Sequence, residues 1–174
     1  MSVTDEVLRA NETYARNFDL GQLPMPPARK LAVLACMDAR LVPSQILGLK
    51  AGDAHVIRNA GGIVTEDALR SLILSHHLLG TQEFIIINHT DCGMLTFKDE
   101  DLRLRLAQET GSLPVTPVAF HAFSNLEENV RRQIQKAKSH PWLPKSISVR
   151  GFIYDVKTGQ LKEVAEARAA TSRP

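Results

Sequence analysis

Two short polar clusters constrain this chain more than any other feature: Cys36-Met37-Asp38-Ala39-Arg40 and His89-Thr90-Asp91-Cys92. Each follows directly on an apolar run, Leu31-Ala32-Val33-Leu34-Ala35 in one case and Phe84-Ile85-Ile86-Ile87 in the other. Apolar runs this short, bounded by polar residues, read as buried strands. The only two cysteines and one of the histidines thus stand at the carboxyl ends of strands. Open α/β sheets place their chemistry there. Two thiolates and an imidazole give zinc three protein ligands and leave one position free, which separates a catalytic zinc from a structural one.

The rest of the pattern alternates strand with helix. A helix over 5–19, with Thr4 as N-cap and Gly21 as stop, precedes the extended arm Leu23-Pro24-Met25-Pro26-Pro27. Such an arm suits reaching over a neighbouring subunit. After strand 31–35 come a short helix over Pro43–Leu49 and a strand over Ala54–Ile57. A helix then runs from Thr65 to Leu79, with Thr65 as N-cap, Glu66 and Asp67 on the positive end of the dipole, and Gly80 as terminator. Strand 83–88 leads to His89, with a helix starting near Cys92 or Gly93 and another over 99–109. Gly111 to Pro117 reads as a loop, and Phe120, Phe123, Leu126, Val130, Ile134 and Ala137 mark one face of a long amphipathic helix. Ile147–Val156 reads as a strand, turned at Lys157-Thr158-Gly159 into Gln160–Val164. The expected fold class is α/β, a mostly parallel central sheet with helices on both faces and an antiparallel edge hairpin at the C-terminal end. The expected organisation is an N-terminal helix and proline-rich arm over 1–27, a single domain over 28–165, and a tail over 166–174.

Lys and Arg nearly balance Asp and Glu, leaving a formal charge of +2. The Arg131-Arg132…Lys136…Lys138 stretch is a solvated helix face, so neither nucleic acid nor a membrane surface is an expected partner. No apolar run approaches the ~20 residues that cross a bilayer. The acidic Met1-Ser2-Val3-Thr4-Asp5-Glu6 start has no signal-peptide core, and a cytoplasmic location is expected, where free thiols stay reduced. A Cys36–Cys92 disulfide is the competing use of the pair, but it leaves the adjacent His and Asp-x-Arg unexplained. His55, His76, His77, His121 and His140 read as structural, with His76 and His77 suited to the negative end of their helix.

In His89-x-x-Cys92 a turn entering a helix points both side chains one way, and Cys36 arrives from the end of another strand. The two sulfurs favour zinc over magnesium or calcium. Asp38 has two possible uses: as a fourth ligand, or paired with Arg40 so that water takes that place. Water on zinc ionises near a pKa of ~7, and a carboxylate beside the resulting hydroxide can orient it. Arg40 would hold that carboxylate by a bidentate contact and keep it ionised. The Arg58-Asn59-Ala60-Gly61-Gly62 stretch has neither Walker nor G-x-G-x-x-G spacing, and its small residues suit close backbone approach to the pocket.

Taken together, Cys36-x-Asp38-x-Arg40, Arg58-Asn59-Ala60-Gly61-Gly62 and His89-Thr90-Asp91-Cys92-Gly93-Met94 resemble the β-class carbonic anhydrases. The likeness runs over about 24–107 and resumes in 148–164, and is closer to the family's short branch than to the plant-like one. The pocket glutamine of the plant-like branch is replaced here by Pro26-Pro27-Ala28-Arg29-Lys30. The resemblance implies zinc on Cys36, His89 and Cys92, an Asp38–Arg40 catalytic dyad, and a Gly93 N–H offered to substrate or bicarbonate. It also implies a homodimer or homotetramer, and a site that switches between water and Asp38 as fourth ligand. The implied reaction is hydration of carbon dioxide by zinc-bound hydroxide. His140-Pro141-Trp142-Leu143-Pro144 and Arg150-Gly151-Phe152-Ile153-Tyr154-Asp155-Val156 resemble members of the short branch that hydrolyse carbonyl sulfide. That makes a hydrolase of carbonyl sulfide, or of carbon disulfide, the alternative. A cysteine phosphatase or arsenate reductase needs a longer cradle than the three residues between Cys36 and Arg40. A zinc or redox sensor has no need of Asp-x-Arg.

Overall fold

The structure, a computed structural model, describes residues 2–112, 117 and 119–165. Its centre is a five-stranded sheet of order β2-β1-β3-β4-β5, built from β1 (Leu31–Cys36), β2 (Ala54–Asn59), β3 (Glu83–His89), β4 (Ser148–Tyr154) and β5 (Leu161–Val164). The pairs β1–β2, β1–β3 and β3–β4 are parallel and β4–β5 is antiparallel, as the strand-helix alternation and the C-terminal turn predict. Central β1 is buried from Ala32 to Cys36, which is why its sequence is an unbroken apolar run rather than an alternating one.

The two sheet faces hold separate halves of the core. Ala32, Leu34, Phe84 and Ile86 point to α3 (Glu66–Leu79) and α5 (Leu126–Lys138), meeting Ala68, Leu72, Val130 and Ile134. Val33, Ala35 and Ile87 point the other way, against Leu41, Ile63, Met94 and Phe123. Thr65 caps α3 by accepting from the Ala68 N–H, and Gly80 ends it at φ 74° in the left-handed region, both as the sequence indicates.

Three expectations are corrected. The first helix, α1 (Val3–Arg16), is capped by Ser2 and not Thr4, because Ser2 and Asp5 close a reciprocal capping box, and the helix stops well before Gly21. The chain after Cys92 forms only a 3-10 turn, Gly93–Leu95, and α4 (Asp99–Thr110) follows it. Phe120 and Phe123 do not belong to the long amphipathic helix, since Asn125 caps α5 only at Leu126. The Asp99 carboxylate holds the preceding segment out of a helix, accepting from the N–H groups of Phe120 (2.8 Å), His121 (3.0 Å) and Ala122 (2.8 Å). Phe123 is nonetheless buried, so its apolar period reports the core and not the helix. The centre of the expected 111–117 loop and the tail over 166–174 lie outside the described residues. α2 (Pro43–Ile46) is one turn with Pro43 at its start.

Candidate metal centre

Adjacent parallel strands β1 and β3 both run toward one sheet edge, so their carboxyl ends bring Cys36 beside His89, and the turn after β3 returns Cys92. The possible ligand atoms of Cys36, His89 and Cys92 lie within 4.8 Å of one another, and all three residues are buried. The sulfurs are not joined as a disulfide. The turn is zipped to the neighbouring strand: Thr90 N–H donates to the Tyr154 carbonyl at 2.9 Å, and Val156 N–H donates to Thr90 Oγ1 at 3.1 Å.

His89 carries the observation that tests for a metal. Its Nδ1 lies 2.8 Å from the Thr90 carbonyl, which fixes the proton there and turns the Nε2 lone pair inward. The His89 ring is fully buried, and Nε2 has no hydrogen-bond partner. An orphaned buried nitrogen costs about 1–3 kcal/mol unless something binds it. With two sulfurs beside it, this donor set fits a soft, tetrahedral divalent cation such as zinc.

The electrostatics agree with that fit. The Cys92 contact lowers the Cys36 thiol pKa against burial, while the same contact and burial push Cys92 up, so each sulfur resists being charged beside a charged neighbour. Burial resists charging His89, but the hydrogen bonding and charge of Cys36 outweigh it and raise the imidazole, although sulfur and Nε2 make no well-aligned bond. A divalent cation would relieve this competition, with Cys36 and Cys92 as thiolates and His89 as neutral imidazole holding it.

Asp38 stands at the mouth of this group, with Oδ2 3.7 Å from His89 Nε2. Arg40 holds it through three bonds: backbone N–H to Oδ1 at 2.9 Å, Nε to Oδ1 at 2.9 Å and Nη2 to Oδ2 at 2.8 Å. Those Arg40 contacts keep the carboxyl far below the ordinary carboxylate range, against the opposing effect of burial. In this structure Asp38 is therefore paired with Arg40.

Two further groups that the sequence reading left without a role complete the frame. Asp91 accepts from Arg40 on the side away from Asp38. Arg58 donates to the Cys36 carbonyl at 3.1 Å and the Asp38 carbonyl at 2.7 Å, bracing the backbone of the first cluster. An Asp inside a ligand motif and an Arg at a strand end were the available signals. The glycines after Arg58 do approach closely: Gly61 N–H lies 3.3 Å from Cys36 Sγ.

A cavity of about 370 Å³ opens over the site, with Met37, Ala60, Gly93, Met94 and Phe97 among its walls. A wider hollow of about 620 Å³ lies between α3 and the His140–Trp142 turn, away from the cysteines. Trp142 sits there, its carbonyl 2.6 Å from His77 Nε2, so the His140–Pro144 cluster does not line the metal cavity. His55 and His76 make the structural bonds their positions suggest, to Ser75 and the Thr81 carbonyl.

A parallel sheet that gathers soft donors and a clamped carboxylate at its carboxyl edge defines an α/β protein built around a metal site. Comparison with known proteins gives its family. A family model described as carbonic anhydrase matches residues 31–161. β-Carbonic anhydrase 1 of Mycobacterium tuberculosis is 48% identical over 164 residues, spanning 94% of this chain and 99% of the relative. A carbon disulfide hydrolase of Acidithiobacillus thiooxidans is 38% identical over 159 residues, spanning 81% of this chain and 80% of the relative. The crystal structure of a carbonic anhydrase from Streptococcus mutans superposes with a TM-score of 0.89 at 40% identity, covering 95% of this chain and 99% of that one. The chain belongs to the β-carbonic anhydrase family.

Proposed function

We propose that this protein hydrates carbon dioxide reversibly to bicarbonate and a proton, using zinc held by Cys36, His89 and Cys92. The observation that carries this reading is the buried, unpartnered His89 Nε2 facing two cysteines beside an arginine-locked Asp38. Zinc, when bound, supplies a Lewis acid that brings the pKa of water to about 7. Asp38 accepts a hydrogen bond from the attacking oxygen and directs its lone pair at the substrate carbon. Arg40 keeps that carboxylate anionic and fixes its plane. The Gly93 N–H, at the start of the 3-10 turn, steadies a substrate oxygen as charge develops on it. Stopped-flow hydration with a pH indicator, on protein whose zinc content is measured, tests the assignment: turnover no faster than buffer refutes it.

A specific observation favours hydrolysis of carbonyl sulfide or carbon disulfide as a second reading. A relative at 38% identity is named a carbon disulfide hydrolase, and Met37, Met94 and Phe97 give this cavity apolar walls that suit a sulfur end. Both reactions use the same nucleophile on a linear triatomic carbon. Hydrogen sulfide release from carbonyl sulfide outpacing carbon dioxide hydration on the same preparation decides for the second.

A second copy of this chain is the proposed partner, in a homodimer or homotetramer. α1 carries Val3, Val7, Leu8 and Tyr14 and buries none of its residues. A free helix of this length is marginal in water, so its apolar stripe needs cover from another copy. Sedimentation of the full chain beside one lacking residues 2–27 tests this, and unchanged assembly refutes it. The protein is proposed to act in the cytoplasm, where its own Cys36 and Cys92 stay reduced. Among the described residues no helix is long and apolar enough to cross a membrane.

A further inference from the structure

Behind the cysteines runs a buried chain of amides that the proposed reaction does not use. Val64 N–H donates to Gln133 Oε1 at 2.9 Å, Gln133 Nε2 to Asn129 Oδ1 at 2.9 Å, and Asn129 Nδ2 to Asn88 Oδ1 at 2.7 Å. Asn88 Nδ2 then donates to the Gly61 carbonyl at 2.8 Å and, more weakly, to Gly62 at 3.3 Å. Asn88, Asn129 and Gln133 are 0%, 2% and 4% exposed, so no solvent can replace a lost partner. The direction of the chain is fixed at both ends: the Val64 N–H can only donate and the Gly61 carbonyl can only accept. No amide can flip alone without opposing two like groups.

The output of the chain is Gly61, whose carbonyl and N–H belong to the two peptide groups that meet at its Cα. Gly61 has φ 82°, and without a side chain its backbone turns easily about φ and ψ, so the Asn88 bond on its carbonyl limits the pose of the residue. Its own N–H points at Cys36 Sγ, 3.3 Å away. An N–H on a thiolate stabilises the sulfur lone pairs and weakens their donation to a bound metal.

We propose that Asn88, Asn129 and Gln133 are positioning residues that hold the Gly61 N–H on the Cys36 sulfur and so set how strongly that sulfur donates to the metal. This rests on the reading of Cys36, His89 and Cys92 as a metal site. α5, which supplies two of the amides, thereby acts on the metal from the opposite face of the sheet.

Two metal-substituted forms of the full chain test it. In native protein loaded with cadmium-113, the Gly61 amide proton shows scalar coupling to cadmium through the N–H···S contact. In Gln133→Leu loaded with cobalt(II), the thiolate-to-cobalt charge-transfer band moves to longer wavelength, although the substitution lies at the far end of the chain. Cadmium uptake without coupling at Gly61 overturns the inference, as does an unmoved cobalt band in folded Gln133→Leu. If Gln133→Leu does not fold, Gln133→Met, closer in shape to glutamine and equally unable to continue the chain, takes its place in the cobalt measurement with the same two outcomes. Failure of native protein to take up either metal overturns the metal-site reading first, and this inference with it.

Discussion

Asp91 accepts a 2.8 Å hydrogen bond from Arg40 Nη1, and its own carbonyl accepts a second at 2.9 Å from Arg40 Nη2. The guanidinium is thus held between two carboxylates, one from each motif, and the β1 and β3 loops are tied across the mouth of the site. Asp91 sits at φ 56°, a left-handed conformation that costs an ordinary residue free energy and that Asp tolerates better than most. As an ion pair it is too exposed to add much stability. Its consequence is geometric: Arg40 cannot turn without losing Asp91, and Asp38 cannot turn without losing Arg40.

Asp91→Ala removes one anchor of Arg40 while leaving every ligand atom in place. The expected loss in kcat/KM is about tenfold, the low end for an outer hydrogen-bond partner of a metal site. Zinc content should match native protein. Asp91→Asn, which keeps an acceptor oxygen and tolerates the left-handed backbone, should fall between the two. Native-like turnover in Asp91→Ala, measured by stopped flow, would show that Arg40 needs only Asp38.

Ligand and dyad positions separate in a paired measurement. Cys92→Ala leaves one sulfur and one imidazole, and metal analysis after dialysis should find almost no zinc. Asp38→Ala should retain zinc and lose roughly 10²–10⁴-fold in turnover, the range for a positioned acid–base group. Zinc lost equally from both variants would make Asp38 a ligand in the resting protein.

Much of this was readable from the chain because the informative features are local. Apolar runs of β1 and β3, the Thr65 and Gly80 caps, and the Lys157-Thr158-Gly159 turn each specify their element within a few residues. Where the reading failed, a distant partner intervened. Phe120 and Phe123 continue the period of α5, but Asp99, 21 residues upstream of Phe120, claims the backbone N–H groups a helix would use. The amide chain was missed for the same reason. Asn88 interrupts a buried strand, and Asn129 and Gln133 lie beside Val130 and Ile134 on the apolar side of α5. Lone polar groups in such places signal a network, but three separate segments must be placed before its members can be joined.

Asp99 also gives a pH dependence with a definite sign. Burial works to raise its carboxyl pKa, but the N–H groups of Ala122, His121 and Phe120 hold it below the ordinary value. A carboxylate depressed on folding stabilises the protein above its unfolded pKa, about 3.9, and that stabilisation disappears as pH falls through the lower folded value. Asp99→Asn should therefore cost about 1 kcal/mol at pH 7, a figure kept low because solvent reaches the site. The gap from native protein should close below about pH 4. Urea denaturation across pH 3–7 measures it, and a gap that stays constant would remove the charge from the explanation.

Gly62 supplies the sharpest packing test of the motif Arg58-Asn59-Ala60-Gly61-Gly62. At φ 62° a side chain there would stand 2.8 Å from the Ile87 carbonyl oxygen, 2.9 Å from Asn88 Nδ2 and 3.0 Å from the Cys36 N. Two of those atoms are backbone of the central strands β1 and β3, so the crowding cannot be relieved by a rotamer change. Gly48 has the same φ of 62° with nothing within 4 Å, and it provides the control. Gly48→Ala should cost about 1–2 kcal/mol, the price of a left-handed backbone alone. Gly62→Ala adds overpacking of about 1–3 kcal/mol and should total about 2–5 kcal/mol. Because the displaced atoms include Cys36 N, Gly62→Ala should also weaken zinc retention against a chelator, which Gly48→Ala should not. Equal denaturation midpoints for the two variants would mean that the loop carrying Gly62 moves freely, and that the close approach to Cys36 is not what the glycine is for.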